Sequence, residues 1–118
     1  RGMSMNYVSF EMAGKSLKLR LDTKNTRNLE RVLGTNPINE LMKCSAGQLP
    51  TMDFISTTLH ASLQKYHHEY TVSKVDEMID KYIDDGGSLI DLIPILIEVF
   101  QVSGYIPKSE DENEVDPK

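Results

Sequence analysis

The chain has 118 residues and a mass of 13.4 kDa, room for one small domain that hides at most about two-thirds of its unfolded surface. Hydrophobic residues at 39% and charged residues at 26% exclude a fibrous, collagen-like or wholly disordered chain. A net charge of −5 disfavours whole-molecule attraction to nucleic acid or an anionic membrane.

The charge is unevenly divided. Residues 1–43 carry eight basic and four acidic groups, net +4, whereas residues 44–118 carry five basic and fourteen acidic groups, net −9. Glu110, Asp111, Glu112, Glu114 and Asp116 crowd the last stretch, so residues 107–118 read as a disordered acidic tail. Residues 1–4 read as a cloning remnant or disordered, because Arg1-Gly2 precede Met3. No apolar stretch follows the N-terminus, so no signal peptide is expected. Residues 5–106 make up a single domain, with a hairpin over 6–21 and helices within 23–104. The lone Cys44 cannot close an intramolecular disulfide, which points to a reducing cytoplasm.

In chain order, Val8, Phe10 and Met12 alternate with polar residues, as do Leu17, Leu19 and Leu21, and Ala13-Gly14 separates the two runs. This spacing predicts a β-hairpin with one apolar face that other elements must cover. From Thr23 the apolar period lengthens. Thr23 or Asn25 can cap a helix carrying Leu29, Val32 and Leu33 and closed by Gly34. Asn36-Pro37 supplies cap and first residue of a second helix, with Ile38, Leu41 and Met42 on one stripe. Thr51 opens a third, running to about His67, in which Met52, Ile55, Leu59, Leu63 and Tyr66 recur at three and four. A fourth from about Val72 turns Val75, Met78, Ile79, Tyr82 and Ile83 inward and ends at Gly86-Gly87.

The fifth helix departs from the pattern. Ten of the fourteen residues from Leu89 to Val102 are apolar, distributed all round the wheel. Ser88 and Asp91 form a capping-box-like pair. A span of roughly 24 Å falls short of a bilayer core of about 30 Å, and Asp91 and Glu98 interrupt it, so a membrane span is not expected. The helix is either the central core element or one that offers a spare face to a partner. Pro94 either occupies the third helical position after an Asp91 cap or kinks the helix. The fold class is therefore α+β, mostly α: an N-terminal β-hairpin followed by about five helices packed as a small bundle.

Chemistry-bearing patterns are sparse. His60 and His67 stand two turns apart, about 10 Å along a helix axis, too far for one metal. His67 and His68 fit a helix end, interacting with its last carbonyls. The acids from Asp80 to Asp91 miss the alternating spacing of a calcium loop. No glycine-rich phosphate loop, nucleophile elbow or HExxH occurs. No enzymatic activity, metal or other cofactor is expected. Lys15, Lys18, Arg20, Lys24, Arg27 and Arg31 crowd seventeen positions, as a solvated face, a protein-binding face or a nucleic-acid site would; the aromatic residues of a single-strand binder are not interleaved among them.

Asn6-Tyr-Val-Ser-Phe-Glu-Met-Ala-Gly-Lys15, Leu17-Lys-Leu-Arg-Leu21, Leu33-Gly-Thr-Asn-Pro37, Leu49-Pro50, Leu59-His-Ala-Ser-Leu-Gln-Lys-Tyr66, Asp80-Lys-Tyr-Ile83 and Val102-Ser-Gly-Tyr-Ile106 together form a recognisable series. From about Met5 to Ile106 the chain resembles the small tail assembly chaperones of long-tailed, non-contractile phages and prophages of Gram-positive bacteria. The resemblance implies a largely helical, non-enzymatic protein of the host bacterial cytoplasm. Such proteins coat the tape measure protein, keep its hydrophobic helices soluble, recruit tail tube protein, self-associate in rows and are absent from the mature virion. Many also have a longer form made by ribosomal frameshifting, and a lysine codon such as that of Lys118 can supply the adenine run of a slippery site.

Joined to the residue pattern, this gives three expected surfaces. Leu89, Ile93, Leu96, Ile97 and Phe100 form a partner-binding apolar face on the last helix. Lys18, Arg20, Arg27 and Arg31 form a basic self-association face, and Asp76, Asp80 and Asp84 its acidic counterpart, for head-to-tail arrays. The competing expectation is a small phage regulatory or nucleic-acid-binding protein that uses the basic hairpin and first helix.

Overall fold

In the computed structural model, which describes residues 2–3 and 7–107, the chain opens with three antiparallel strands, β1 (Gly2–Met3), β2 (Val8–Met12) and β3 (Lys15–Leu19), in the order β1-β2-β3. Alternation sets the register: Val8 pairs with Leu19 and Phe10 with Leu17, so the apolar side chains of both strands share one face. Ala13 and Gly14 both take positive φ, 53° and 78°, the backbone that a two-residue hairpin turn requires. Gly2–Met3, expected as a remnant or disordered, are ordered in a strand and pair with Ser9 and Val8; main-chain bonding to a strand edge leaves no side-chain signal to read. The expectations for Arg1, for residues 4–6 and for the tail beyond residue 107 lie outside the described residues.

Five helices follow: α1 (Thr23–Leu33), α2 (Pro37–Ser45), α3 (Met52–Leu63), α4 (Val72–Asp84) and α5 (Leu89–Val102). The α+β, mostly helical class read from the sequence is the one observed. Each helix start has a side-chain cap. The α1 cap is Asp22, whose carboxylate accepts from Asn25 N at 2.9 Å, and not Thr23 or Asn25, both of which lie inside the helix. Asn36, Thr51, Thr71 and Ser88 cap the other four. Ser88 and Asp91 form a full capping box, so α5 starts at Leu89 and Pro94 lies inside it. Pro94 is exposed, and having no N–H it cannot donate to the Ile90 carbonyl one turn back.

The centre of the molecule is α3. It packs against α1, α4, α5 and β3 and buries Phe54, Ile55, Ser56, Thr58, Leu59, Ala61, Ser62 and Leu63. Small Ser, Thr and Ala side chains let four elements approach one helix; the Ser62 hydroxyl is satisfied by the Thr58 carbonyl at 2.7 Å. The helix ends at Leu63, short of the expected His67, and Met52 and Tyr66 from its predicted stripe are 48% and 36% exposed. Val8, Met12, Leu17 and Leu19 from the sheet, Leu21 from the segment after it, Val75 and Ile79 from α4, and Leu92, Leu96, Val99 and Phe100 from α5 are further core residues. Two polar bonds tie the start of α1 and the residues before it to the segment that follows α5. Leu21 N donates to Ser103 Oγ at 2.9 Å, and the Tyr105 hydroxyl donates to Thr26 Oγ1 at 2.6 Å.

Two stability outcomes follow from this packing. Gly87 lies against the Tyr82 ring, and a Cβ at this position would run into the ring's atoms. Tyr82 is held in place by its own hydrogen bond to Asp91 Oδ2 at 2.9 Å and by edge contact with Phe10 at 6.2 Å. Gly87→Ala is expected to cost about 1–3 kcal/mol in urea unfolding; an unchanged midpoint would refute the clash. Thr58 Oγ1 is fully buried without a hydrogen-bond partner. The nearly isosteric Thr58→Val removes that unmet polar group and is expected to raise stability by about 1 kcal/mol, measured the same way.

Candidate functional site

The sequence-predicted partner face on α5 is largely absorbed by the fold. Leu96 and Phe100 are each 1% exposed and belong to the core, which corrects their assignment to a partner surface. Leu89 and Ile97 are half-buried and lean against the core, and Ile93 is half-buried. The buried stripe runs through Leu92, Ile95, Leu96, Val99 and Phe100, the face that lies on α3 and β2. Turning outward from it, Ile93, Ile97, Ile90 and Pro94 follow as neighbours at i, i+3, i+4 and i+7. Ile90 is 58% exposed. The surface left on α5 is this outer ridge, which keeps Ile93 and Ile97 of the predicted set and has Ile90 and Pro94 in place of Leu89, Leu96 and Phe100.

The basic residues do not form one face. Lys18 projects from β3 into a groove with Phe10, Glu11 and His67, where its ammonium lies over the rings of Tyr7 and Tyr66, 5.1 and 5.8 Å from their centroids. The Lys18 backbone N–H donates to His67 Nε2 at 3.0 Å, and that of Arg20 donates to the Ser62 carbonyl at 2.9 Å. The strand edge is thus closed by α3 and the turn after it. Arg20 is half-buried. Arg27 and Arg31 instead line a separate groove on α1 with Thr23, Lys24 and Asn28. All three of its basic residues are exposed.

Among the acids, Asp76 and Asp80 line a groove between α3 and α4 together with Asp53, Ser56, Thr57, Met52 and Val72. Asp76 accepts the hydroxyl hydrogen of Ser56. Asp84 is exposed one turn further along α4 and does not line this groove. Asp53, beside the predicted pair, was missed because it sits on α3, twenty-three positions from Asp76; only the helix pairing reveals it.

Among the described residues no three His, Cys, Asp or Glu side chains converge as metal ligands, and no helix is long and apolar enough to cross a membrane. Cys44 is half-buried, its thiol directed at the Glu40 carbonyl, 3.6 Å away. Another open groove gathers Lys15, Lys74 and Lys81 with Glu69 and Glu77, its cations offset by nearby carboxylates, Lys81 pairing with Asp85 at 3.1 Å. Burial, reinforced by the hydrogen bond to the Asp91 carboxylate, pushes the Tyr82 phenol up. The described residues form open grooves and charged or apolar faces.

His60 carries a pH dependence. Burial holds its imidazole below the ordinary range, partly opposed by a hydrogen bond to the Tyr70 backbone. Folding therefore favours the neutral ring, and an unfolded chain takes up the proton first. The stability this contributes is present above about pH 6.5 and is lost as the pH falls through the lower folded value. Urea midpoints are expected to fall between pH 7 and 5.5, and His60→Gln to flatten that slope; an unaltered slope in the variant would assign the loss to other groups.

Residues 7–115 match the model of a family described as a family of unknown function (DUF6096). No curated protein and no solved structure matches the chain.

Proposed function

The chain belongs to DUF6096, a family of unknown function, and we propose that it is a non-enzymatic phage tail assembly chaperone: it coats and solubilises the tape measure protein in the host bacterial cytoplasm, promotes tail tube assembly as head-to-tail arrays, and is left out of the mature virion. The observation that carries this reading is the outer ridge of α5, where Ile90, Ile93, Pro94 and Ile97 remain on or near the surface of a helix whose inner face is already buried. A ridge with apolar residues at i, i+3, i+4 and i+7 has the geometry that lies along another amphipathic helix. A tape measure is a long series of such helices, and a chaperone that repeats along it needs one modest apolar face per copy. The mostly helical fold agrees with the largely helical character that the resemblance implies.

A competing reading makes the chain a small regulatory or nucleic-acid-binding protein. It requires the hairpin and α1 cations to act on one surface, whereas Lys18 and the α1 stripe line different grooves and Lys18 is engaged by two tyrosine rings. For this reason the chaperone reading is preferred.

Co-expression with the tape measure protein decides the matter. The tape measure is expected to stay soluble and to be captured with a tagged chain, and Ile90→Lys to reduce that capture about fivefold or more without changing the melting temperature. Insoluble tape measure with no capture, together with salt-dependent retention of a DNA or RNA probe by the chain, would overturn the proposal in favour of the nucleic-acid reading.

A further inference from the structure

Two stripes of opposite charge stand on α1 and α4, the helices that each pack against α3. On α1, Lys24, Arg27 and Arg31 recur at i, i+3 and i+7 and are exposed. Arg31 donates to the neutral Asn28 Oδ1 at 2.8 Å, and among the described residues none of the three has an ion-pair partner. On α4, Asp76 and Asp80 recur at i and i+4 in the α3–α4 groove, joined there by Asp53, and they too lack an ion-pair partner among the described residues. Like charges held one turn apart repel one another, so each stripe carries a standing cost that an opposite stripe removes.

The two stripes also match in spacing. Arg27 to Arg31 and Asp76 to Asp80 each span one helical turn, about 6 Å. Apolar contact accompanies the charges. Val32, next to Arg31, is 70% exposed, and Met52 and Val72, which line the acidic groove, are 48% and 52% exposed. We propose that the α3–α4 groove of one copy receives the α1 stripe of a second copy of this chain, with Arg27 and Arg31 of the incoming copy set against Asp76 and Asp80. The proposal deepens the head-to-tail assembly named above and rests on it, while assigning the surfaces. Because the two patches differ and lie on separate flanks of α3, the contact is heterologous: every copy added leaves one stripe of each sign free, and association extends instead of closing into a symmetric dimer.

Charge reversal with rescue tests this by analytical ultracentrifugation of the full chain. At about 100 μM protein and 20 mM salt the native chain is expected to sediment as a concentration-dependent series of oligomers that shrinks in 500 mM salt. Arg27→Glu/Arg31→Glu alone, and Asp76→Lys/Asp80→Lys alone, are each expected to weaken association at least about tenfold. An equimolar mixture of the two variants restores it, since the acidic α1 of one fits the basic groove of the other and the two native patches also meet. Asp80→Lys alone, which leaves the Ser56–Asp76 bond intact, provides a milder variant, and melting temperatures check that each chain is folded. A native chain that stays monomeric at low salt overturns this inference yet leaves tape measure capture to be judged separately. Reversed variants that associate as well as the native chain, or a mixture that is not rescued, place the contact elsewhere and overturn it as well.

Discussion

Because Ser56, Thr58, Ala61 and Ser62 carry so little volume, α3 can be covered on nearly every side at once, and the remainder of the molecule is arranged around that one helix. The sheet rests on it through β3, α5 lies along it, and α1 and α4 flank it. Close approach brings Ser62 near enough for its carbonyl to take the Arg20 N–H. It also aligns Ser56 with Asp76 on α4. A larger side chain at any of these positions would push a neighbour outward and loosen a core that a domain of this size has little surplus to lose.

This arrangement also decides what reaches the surface. With α3 in the centre, α5 becomes a flanking helix, covered on one side by α3 and the sheet and left with Ile90 and Pro94 exposed on the other. The flanking positions of α1 and α4 separate the basic and acidic stripes, so neither can neutralise the other within one molecule. Charge segregation in the sequence thus becomes segregation in space, mediated by the helix between them.

The hairpin, its register and most helix caps were legible because their signals are local: alternation, Ala13-Gly14, Asn36-Pro37, Thr51, and the Ser88–Asp91 pair. The identity of the central helix was not. Hydrophobicity singled out α5, and the stripe read on α3 ran through Met52, Ile55, Leu59, Leu63 and Tyr66 without Ser56, Thr58 and Ser62, whose small size lets them be buried. Val32 and Met42 fit the apolar stripes of α1 and α2, yet are 70% and 63% exposed, since neither helix has a neighbour on that side to receive them. Of the candidate surfaces, helical period places Arg27 with Arg31 on α1 and Asp76 with Asp80 on α4, whereas the grouping of Lys18 and Arg20 with the α1 cations rested on charge alone. Their separation from Lys18, and the inclusion of Asp53, depend on packing between distant segments.

The closure of the β3 edge bears on how copies of such a chain can be crowded together. With the Lys18 N–H held by His67 and the Arg20 N–H by a carbonyl of α3, that side of the sheet presents no run of free amides for a neighbouring strand to extend. Any contact along this edge is left to side chains, which salt and competition can undo. A shared backbone ladder would propagate toward the near-irreversible order of amyloid, which this closure of the edge disfavours.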